Sequence, residues 1–555
     1  MRGAKAILES LKREKVEVMF GIPGGAVIPL YDELYGSDIR TILMRHEQAA
    51  AHAADGYARA SGEVGVCVAT SGPGATNLVT GIASAYLDSS PVVAFTGQVP
   101  RPMIGKDAFQ ETDPVGITMP VTKHNFQFYS VEEIPYIIKK AFKIARTGRP
   151  GPVLIDVPKD VQEKEGVMKF PKDVDIIGYN PTVKGHPKQI KKAVELLLKA
   201  ERPIALVGGG VIISGASKEL LELVELMQLP VVTSLMGKGA FPEDHPLALG
   251  MIGMHGRKAG NFAISDADVI LAVGCRFSDR TTGNVNCFAP EAKVIHIDIE
   301  PAEIGKNVPV EVPVVGDARQ VLKEMLALAR TKVKKHPAWL EKIKRYKKEF
   351  QPKMDYDDVP LMPQRVIKEI MEVLKEEDIV VTEVGQCQMW AAHFLSRTRS
   401  RTFISSGGLG TMGFGFPASI GAKMARPDRN VIDIAGDGSF MMNCQELATT
   451  VVEDIPVVVG VMNNHYLGMV RQWQELFFDR RYSGVYLGEV PDYLKLAEAF
   501  GAEGIRVEKP GEIKDAVKEA FSCGKPTVID FVVKPESNIF PMVPPGGCLK
   551  DIIEG

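Results

Sequence analysis

Residues 431–443 read VIDIAGDGSFMMN, and residues 455–464 read IPVVVGVMNN. Each stretch begins with a short apolar run, and the segment between them has the length of a helix. We therefore predict two parallel strands joined by a right-handed crossover. The carboxyl ends of such strands meet at one edge of the sheet, where open α/β sheets bind their ligands. Asp437 and Asn464 are expected to face one crevice, although Gly, Asp and Asn are also common turn residues.

Similar Val- and Ile-rich runs, separated by helix-length segments, recur along the whole chain. Continuous apolar strands that alternate with helices indicate parallel sheets covered on both faces. The predicted class is α/β with three doubly wound parallel-sheet domains, and its clearest strands lie at 64–70, 91–97, 151–158, 203–210, 268–274 and 293–299. Two polar stretches, 161–187 and 331–360, break the pattern, and the second opens with a lysine-rich helix. We place the domains at 1–165, 185–335 and 360–555.

The overall composition is that of an ordinary globular protein without a polyanionic partner. Of the 555 residues, 45% are hydrophobic and 24% are charged, and 66 Lys and Arg nearly balance 69 Asp and Glu. This balance disfavours nucleic acid or an anionic membrane as a partner. Residues 1–20 lack the apolar core of a signal peptide, and no apolar run approaches the roughly 18–20 residues of a membrane span. We predict a cytoplasmic protein.

The seven cysteines form no C-x-x-C pair. An odd number without metal-ligand spacing disfavours a disulfide framework or a zinc site. Free thiols in a reducing cytosol are the simpler expectation. The cysteines predicted to be free are Cys67, Cys275, Cys287, Cys387, Cys444, Cys523 and Cys548.

Asp437 and Asn464 also suit a metal ion that is bound together with phosphate. One carboxylate, one amide oxygen and a nearby backbone carbonyl are ligands that Mg²⁺ prefers, and Mg²⁺ usually shares its shell with phosphate. Gly436 and Gly438 allow the backbone to approach a phosphate, and the N-terminus of the following helix favours anions. Taken alone, this spacing is a weak indication.

The G-D-G stretch followed by N-N resembles the diphosphate-binding signature of thiamine diphosphate enzymes. These enzymes also need a carboxylate on another domain, bonded to N1′ of the cofactor's pyrimidine ring, and Glu47 in RHEQAAAHAADGYARA matches it. The alternative is that Glu47 only complements the dipole of the alanine-rich helix that it begins. The stretch SGPGATN, which contains Pro73 and Asn77, continues the resemblance as the turn of a pyrimidine-binding domain.

Further motifs extend the resemblance over nearly the whole chain, at 105–113, 253–283, 383–394, 405–422 and 463–478. Together they resemble the acetohydroxyacid synthase (acetolactate synthase) family, in the catalytic large subunit of its FAD-containing biosynthetic form. The family implies decarboxylation of pyruvate and transfer of the two-carbon unit to a second pyruvate or to 2-ketobutyrate, in valine, leucine and isoleucine biosynthesis. It also implies a homodimer or tetramer, in which Glu47 and the diphosphate site meet across a subunit interface. A small regulatory subunit is a possible further partner.

The resemblance assigns roles to individual residues. The implied catalytic residues are Glu47, Phe109, Gln110, Lys159, Arg280 and Trp473. Arg280 offers a cation to the carboxylate of the second substrate, and Trp473 offers a wall to its methyl or ethyl group. The implied metal ligands are Asp437, Asn464 and the backbone carbonyl of Tyr466, where His465 and Tyr466 replace the acidic residues that often stand there.

The residues implied to bind thiamine diphosphate, besides Glu47, are Pro73, Asn77, Gln110, Val384, Gly385, Gln386, Gly410, Met412, Gly436, Asp437, Gly438, Ser439, Leu467, Gly468 and Met469. The residues implied to bind FAD are Arg149, Gly208, Gly210, Ser234, Leu235, Met254, His255, Gly274, Arg276, Arg280, Asp298 and Asp317. The glycine turn at 207–216 is by itself weak evidence for a dinucleotide, since inert domains of the same kind contain it.

Three other interpretations stay open from the residues. Within the same cofactor group, the chain could be a pyruvate oxidase, a 2-keto-acid decarboxylase or a glyoxylate carboligase. A different class is a flavin or nicotinamide oxidoreductase that uses the middle domain without thiamine diphosphate. A third is a catalytically dead homologue, against which Glu47, Asp437 and Asn464 argue because such a copy has no physical need for all three. The order of preference between pyruvate and 2-ketobutyrate, feedback by valine and the need for FAD are equally open.

Overall fold

The computed structural model describes residues 1–330 and 334–554. Over these residues the chain forms three six-stranded sheets. Every pair of neighbouring strands in them is parallel, and helices connect the strands. The predicted α/β class, with three doubly wound parallel sheets, is confirmed.

The first sheet is built from β1 (Val18–Gly21), β2 (Arg40–Leu43), β3 (Gly65–Ala69), β4 (Val92–Gln98), β5 (His124–Gln127) and β6 (Val153–Pro158). Its helices are α1 (Gly3–Arg13), α2 (Ile28–Leu34), α3 (Glu47–Ser61), α4 (Pro73–Asn77), α5 (Val79–Leu87), α6 (Pro114–Thr118), α7 (Ile134–Arg146) and α8 (Lys159–Glu163).

The middle sheet is built from β7 (Pro203–Val207), β8 (Val231–Thr233), β9 (Ala248–Met251), β10 (Val269–Val273), β11 (Lys293–Asp298) and β12 (Val312–Val315). Its helices are α9 (Pro187–Lys199), α10 (Gly209–Ile213), α11 (Ser217–Met227), α12 (Lys258–Ser265), α13 (Asp279–Thr282) and α14 (Ala318–Ala329), and α15 (Pro337–Glu349) follows them.

The third sheet is built from β13 (Ile379–Thr382), β14 (Phe403–Ser405), β15 (Val431–Gly436), β16 (Val458–Asn463), β17 (Glu503–Val507) and β18 (Thr527–Val532). Its helices are α16 (Pro363–Val373), α17 (Gln386–Phe394), α18 (Gly415–Ala425), α19 (Asp437–Phe440), α20 (Leu447–Val452), α21 (Gly468–Phe477), α22 (Tyr493–Phe500) and α23 (Ile513–Ser522).

The first and third sheets share one strand order, and the middle sheet has another. Counted from its own first strand, the order is 2-1-3-4-6-5 in the first and third sheets and 3-2-1-4-5-6 in the middle sheet. The second of these is the order of the dinucleotide-binding Rossmann fold. Ligand crevices are expected at the carboxyl ends of the two strands between which the chain reverses its direction across the sheet. These pairs are β1 and β3, β7 and β10, and β13 and β15.

The three sheets lie inside the three predicted domain ranges, whose exact limits stay a prediction. The lysine-rich segment starts with residues 331–333, which lie outside the described residues, and its helix is α15. Within the described part of the chain, no helix is both long and apolar enough to span a bilayer. The cytoplasmic location stays a prediction.

Helix α3 of the first domain packs directly against helix α18 of the third. A Cβ atom added to Gly421 would lie 1.8 Å from the carbonyl oxygen of Ala53, and one added to Gly56 would lie 2.1 Å from that of Ala418. The two backbones can approach this closely only because both glycines lack a side chain. The alanines of α3 are buried in the same apolar cluster as Phe416 and Ala422. One hydrophobic core therefore joins the first and third domains.

A buried ion-pair network strengthens the same junction. Arg59 of α3 donates to Asp55 Oδ1 at 2.8 Å, to Asp88 Oδ2 at 2.6 Å and to the carbonyl oxygen of Ser405 at 2.6 Å. Asp88 also accepts the backbone N–H of Gly408 at 2.7 Å. Buried charges are tolerated when they are paired, and both aspartates pair with Arg59, although Asp55 Oδ2 has no hydrogen-bond partner among the described residues. The network ties α3 to the loop that follows β14.

The expectation of seven free thiols is wrong for two cysteines. Cys287 and Cys548 form a disulfide with a Cα–Cα distance of 5.8 Å. The chain reaches this arrangement because its C-terminal segment crosses the middle domain, where Asn284 N–H donates to the carbonyl oxygen of Gly547 at 3.0 Å. The two cysteines are separated by 261 positions, so their spacing in the sequence carries no sign of the pairing.

We predict that Gly421→Ala destabilises the junction of α3 and α18 by about 3 kcal/mol, the upper end of typical overpacking penalties. The added methyl group would meet the Ala53 carbonyl, and neither helix can move without disturbing the shared core. Differential scanning calorimetry should show a lower first unfolding transition. Gly511→Ala is the matched control, because nothing lies within 4 Å of its added Cβ. Equal transitions for the two variants would contradict the prediction.

The disulfide predicts a simple thiol count. Denatured protein kept without reductant should react at five cysteines, Cys67, Cys275, Cys387, Cys444 and Cys523. After reduction by a dithiol, Cys287 and Cys548 should react as well. Mass spectrometry of the alkylated protein measures both numbers, and seven reactive thiols in unreduced protein would rule the bond out.

Candidate active site

The predicted crevice lies at the carboxyl ends of β13, β15 and β16. Residues Val384 and Gly385 follow β13, Asp437 follows β15, and Asn464 follows β16. The parallel register pairs Gly436 with Met462, so the residues that follow both strands emerge at one edge of the sheet. This is the position at which the strand order of the third sheet reverses. This arrangement agrees with the expectation, drawn from the G-D-G and N-N stretches, that Asp437 and Asn464 face one crevice.

A cavity of about 80 Å³ occupies this crevice. Its lining combines the glycine-rich turn after β15, the residues after β13 and the start of α21. Thirteen residues predicted from the sequence line it, namely Val384, Gly385, Gln386, Met412, Gly436, Asp437, Gly438, Ser439, Asn464, Tyr466, Leu467, Gly468 and Met469. Stretches from distant parts of the third domain are thus brought together at one point.

Asp437 and Asn464 have the chemistry of a small cation site. Asp437 Oδ1 accepts the N–H of Gly438 at 2.8 Å, whereas its Oδ2 is buried without a hydrogen-bond partner among the described residues. Burial raises the pKa of Asp437 to about 6. Asn464 Oδ1 accepts the N–H of Tyr466 at 3.0 Å. An unpartnered carboxylate oxygen close to an amide oxygen fits a hard, oxygen-seeking ion such as Mg²⁺.

Asp437 is the only acidic residue among the described residues that line the small cavity. Within residues 1–330 and 334–554, no group of three or more His, Cys, Asp or Glu side chains is arranged to hold a metal. A cation at Asp437 would therefore need further oxygen donors from a backbone carbonyl and from an anionic ligand. This donor set suits a metal that is shared with a diphosphate.

The helical segment predicted between β15 and β16 forms in separate pieces. Helix α19 has four residues, a 3₁₀ turn covers Cys444–Glu446, and α20 begins at Leu447. Helix α21 supplies the longer helix terminus instead, because its first residue, Gly468, lines the small cavity. The first N–H groups of a helix have no intrahelical partners and can bind an anion.

A second cavity of about 1620 Å³ adjoins the first and lies between all three domains. The two cavities share Val384, Gly385, Met412, Met469 and Val470, and Gly410 lines the larger one. Most residues predicted to bind FAD line it, namely Arg149, Gly210, Ser234, Leu235, Met254, His255, Gly274, Arg276, Arg280, Asp298 and Asp317. Gly208 does not line it and instead lies against the backbone of Gly274 and Cys275.

Several charged side chains that line the large cavity form hydrogen bonds to other residues of the chain. Arg149 donates to Glu303 Oε1 at 2.9 Å and to Ser89 Oγ at 2.8 Å. Burial raises the pKa of Asp298 to about 6, and Asp317 caps α14 by accepting the N–H of Gln320 at 3.1 Å. These groups surround the reversal point of the Rossmann-type sheet.

Arg280 and Trp473 meet at the wall of the large cavity. The guanidinium carbon of Arg280 lies 5.6 Å from the centre of the indole ring, within the range of a cation–π contact. Among the described residues, the nearest carboxylate oxygen to Arg280 belongs to Asp279, at 4.0 Å. The guanidinium is therefore free to donate two parallel hydrogen bonds to the carboxylate of a ligand.

The predicted residues of the first domain form a separate group. Glu47 begins α3, and its Oε2 accepts the side-chain N–H of Asn77 at 3.0 Å. Gln110 has a positive φ of 60° and lies against Gly72, at the turn before Pro73. Phe109 is 89% exposed, and Lys159 begins α8. None of the predicted residues Glu47, Pro73, Asn77, Phe109, Gln110 and Lys159 lines either cavity.

Sequence reasoning missed several buried polar residues around the crevice. Cys387 lines the small cavity. Glu383 accepts the N–H groups of Gly413 at 2.8 Å and Phe416 at 3.1 Å, and burial raises its pKa to about 7. Both carboxyl oxygens of Asp433 are buried without a partner among the described residues, and burial raises its pKa. A charged residue inside an apolar strand run was the available signal for Asp433.

Comparisons with known proteins agree with this architecture. Family models described as the N-terminal TPP binding domain, the central domain and the C-terminal TPP binding domain of thiamine pyrophosphate enzymes match residues 1–117, 190–325 and 383–531. The probable acetolactate synthase large subunit of Methanocaldococcus jannaschii is 59% identical over 100% of this chain and 95% of its own length. The chain belongs to the acetolactate synthase family of thiamine pyrophosphate enzymes.

More distant family members show the same full-length match. The acetolactate synthase large subunit of Corynebacterium glutamicum is 49% identical over 100% of this chain and 90% of its own length. The acetolactate synthase isozyme 3 large subunit of Escherichia coli is 46% identical over 100% of this chain and 98% of its own length. The suspected family is confirmed, and so is the thiamine-dependent class of enzyme.

We predict that Asp437→Asn weakens Mg²⁺-dependent binding of thiamine diphosphate by roughly 100-fold or more, since even changes outside the ligand shell typically cost 10–100-fold. The substitution keeps the shape of the side chain but removes the charge of its unpartnered oxygen. Isothermal titration calorimetry with and without Mg²⁺ measures the effect. Asp428→Asn, on an exposed loop of the same domain, should bind as the wild type does. Unchanged affinity in Asp437→Asn would contradict the metal assignment.

Proposed function

We propose that the chain is the catalytic large subunit of an acetolactate synthase. It would decarboxylate pyruvate and transfer the two-carbon unit to a second pyruvate, giving 2-acetolactate, or to 2-ketobutyrate, giving 2-aceto-2-hydroxybutyrate. The observation that carries this proposal is the full-length similarity to relatives of that name. The neighbouring positions of Arg280 and Trp473, beside the Asp437 crevice, support it.

For the cofactor, we propose that the small cavity holds the diphosphate of thiamine diphosphate together with Mg²⁺. Asp437, Asn464 and the Tyr466 carbonyl would be the protein ligands of the metal, and the first N–H groups of α21 would face the diphosphate. When bound, thiamine diphosphate supplies a thiazolium ring that accepts the electron pair left behind as CO₂ departs from a 2-keto acid. Met412, bulky and apolar, lines the small cavity and would pack against the bound cofactor.

The proposed task of Glu47 is to bond N1′ of the pyrimidine ring and so shift a proton toward that nitrogen. When bound, the aminopyrimidine of thiamine diphosphate would supply the base for the proton on C2, and the Glu47 carboxyl would promote that basicity through its bond to N1′. Asn77 holds one oxygen of Glu47, which leaves the other available to the ring. Phe109, Gln110 and Lys159 would complete the site from the same domain.

Arg280 and Trp473 are proposed to select the second substrate. The guanidinium would bind the carboxylate of the incoming 2-keto acid through two parallel hydrogen bonds. The indole ring would pack against its methyl or ethyl group. Arg280 Nη1 also contacts Met254 Sδ at 3.4 Å, which restricts the direction in which the guanidinium can point.

We further propose that the large cavity binds FAD. Its volume of about 1620 Å³ exceeds the range of about 300–1,000 Å³ that is usual for small-ligand pockets. Its lining includes the glycine turns after β7 and β10, at the reversal point of a Rossmann-type sheet, where dinucleotides bind. The chemistry of the proposed reaction includes no net oxidation, so the flavin would have a structural role.

The separation of the Glu47 group from the Asp437 crevice within one chain supports a homodimer or tetramer. In such an assembly, Glu47 of one subunit would face the diphosphate site of another, and each subunit would contribute to two sites. The word "large" in the names of the relatives supports association with a small regulatory subunit as well.

The deciding experiment is an assay of the purified protein with thiamine diphosphate, Mg²⁺, FAD and pyruvate. We expect 2-acetolactate, and 2-aceto-2-hydroxybutyrate when 2-ketobutyrate is added. Acetyl phosphate as the product would indicate a pyruvate oxidase, acetaldehyde a decarboxylase, and condensation only with glyoxylate a carboligase. Oxidation of a substrate without thiamine diphosphate would replace the proposal with a flavin or nicotinamide enzyme.

Within that assay, Glu47→Gln should lower kcat by about 10²–10⁴-fold, the usual contribution of a positioned acid–base group. Binding of FAD, followed by its visible absorbance after gel filtration, should not change. Glu63→Gln, an exposed glutamate beyond the end of α3, is the matched control and should behave as wild type. Near-normal turnover by Glu47→Gln would remove the assigned role.

A further inference from the structure

Glu446 is a buried carboxylate that reaches from the third domain into the first. It ends the 3₁₀ turn Cys444–Glu446 and has no exposed surface. Its Oε1 accepts the backbone N–H groups of Arg45 at 3.0 Å and His46 at 3.1 Å. Its Oε2 lies 3.2 Å from the same Arg45 nitrogen. The two residues it holds directly precede Glu47.

Neighbouring contacts fix the orientation of this carboxylate. Thr449 Oγ1 lies 2.7 Å from Glu446 Oε2 and 3.2 Å from the carbonyl oxygen of Leu43, so its hydroxyl can donate to either. Nearby, Arg40 donates to the carbonyl oxygen of Glu453 at 2.7 Å. The segment from Glu446 to Glu453 thus contacts both ends of β2 and the turn that leads into α3.

Among the described residues, the hydrogen bonds that Glu446 accepts come from N–H groups and the Thr449 hydroxyl, and the charge of Arg45 acts on it only at longer range. The Arg45 guanidinium donates to the carbonyl oxygen of Leu43 at 2.8 Å instead of pairing with Glu446. Burial raises the pKa of Glu446 to about 7. Burial of an ionisable group without a close opposite charge is costly. None of the roles proposed for the site residues involves Glu446, so those roles do not account for the free-energy cost of burying it.

The contacts of Glu446 bear directly on the direction of Glu47. His46 is the N-cap of α3, and its Nδ1 accepts the N–H of Gln48 at 3.1 Å. With Arg45 and His46 anchored, the first turn of α3 has one orientation, and the Cα–Cβ bond of Glu47 is fixed with it. Catalytic groups must be held within about 0.5 Å of their productive position by the shell around them.

We propose that Glu446 is a positioning residue for Glu47, which it orients by accepting the backbone N–H groups of Arg45 and His46. The inference rests on the role of Glu47 in the proposed function. In the proposed function, exchange of the C2 proton of bound thiamine diphosphate with solvent requires Glu47 but no substrate. Failure of the inference is therefore distinct from the absence of acetolactate.

Two substitutions test the length of the Glu446 side chain and its charge separately. Glu446→Gln keeps the length and an amide oxygen that can accept both N–H groups, but loses the charge. Glu446→Asp keeps the charge but is one methylene too short to reach. Glu369→Gln is the control, because Glu369 is another buried carboxylate of the third domain, paired with Arg365 at 2.7 Å.

The first measurement is hydrogen exchange at C2 of bound thiamine diphosphate, followed by proton NMR after acid quench at saturating cofactor. We expect Glu446→Asp to exchange roughly 100-fold more slowly, the loss caused by a misplacement of about 1 Å. Glu446→Gln and Glu369→Gln should stay close to wild type. Equal rates for Glu446→Gln and Glu446→Asp, whether fast or slow, would overturn the proposal.

The second measurement needs neither cofactor nor a stable variant. Amide hydrogen exchange of the wild-type protein, read by mass spectrometry on peptides that span Arg45 and His46, should show both N–H groups protected. In Glu446→Asp, protection should be lost there and kept in the rest of α3. Rapid exchange of these two amides in wild-type protein would overturn the proposal, even if Glu446→Asp fails to fold.

Discussion

The close packing of α3 against α18 is the constraint on which the rest of the structure depends. Two glycines let the helix backbones touch, and the shared apolar core makes the first and third domains one body. Helix α3 begins with Glu47, and α18 follows the loop that contains Gly410 and Met412. Within one chain, this helix contact therefore fixes the position of Glu47 relative to the loop of Gly410 and Met412, which would belong to two different sites in the proposed assembly.

Polar contacts refine what the helix packing establishes. Arg59 and Asp88 tie the middle of α3 to the loop after β14, and Glu446 holds the turn before its first residue. Asp88 and Glu446 are buried, Arg59 is largely so, and each of the three has a partner from the other domain. The middle domain does not take part in these contacts. Its glycine turns line the large cavity, and its Arg280 lies against Trp473 of the third domain.

Much of the fold follows from local patterns in the sequence. The apolar runs at 203–210 and 268–274 correspond to strands, and the rule for parallel strands correctly brings Asp437 and Asn464 together. The roles of Arg280 and Trp473 came only from resemblance, since a lone arginine and tryptophan carry no pattern. The contacts of Glu446 with Arg45, and of Cys287 with Cys548, join positions that are far apart in the sequence. No periodic pattern of residues predicts them. Gly421 likewise looks neutral in sequence, because its importance lies in the helix it faces.

The bond between Cys287 and Cys548 makes a covalent ring of everything between these two residues. The whole third sheet lies within that ring, as does the chain that connects it to the middle domain. A single break of the backbone inside the ring would leave both fragments attached to each other. The third domain is thus tied to the middle domain at both of its ends, by the backbone before it and by the disulfide after it, and it can shift only as far as both connections permit.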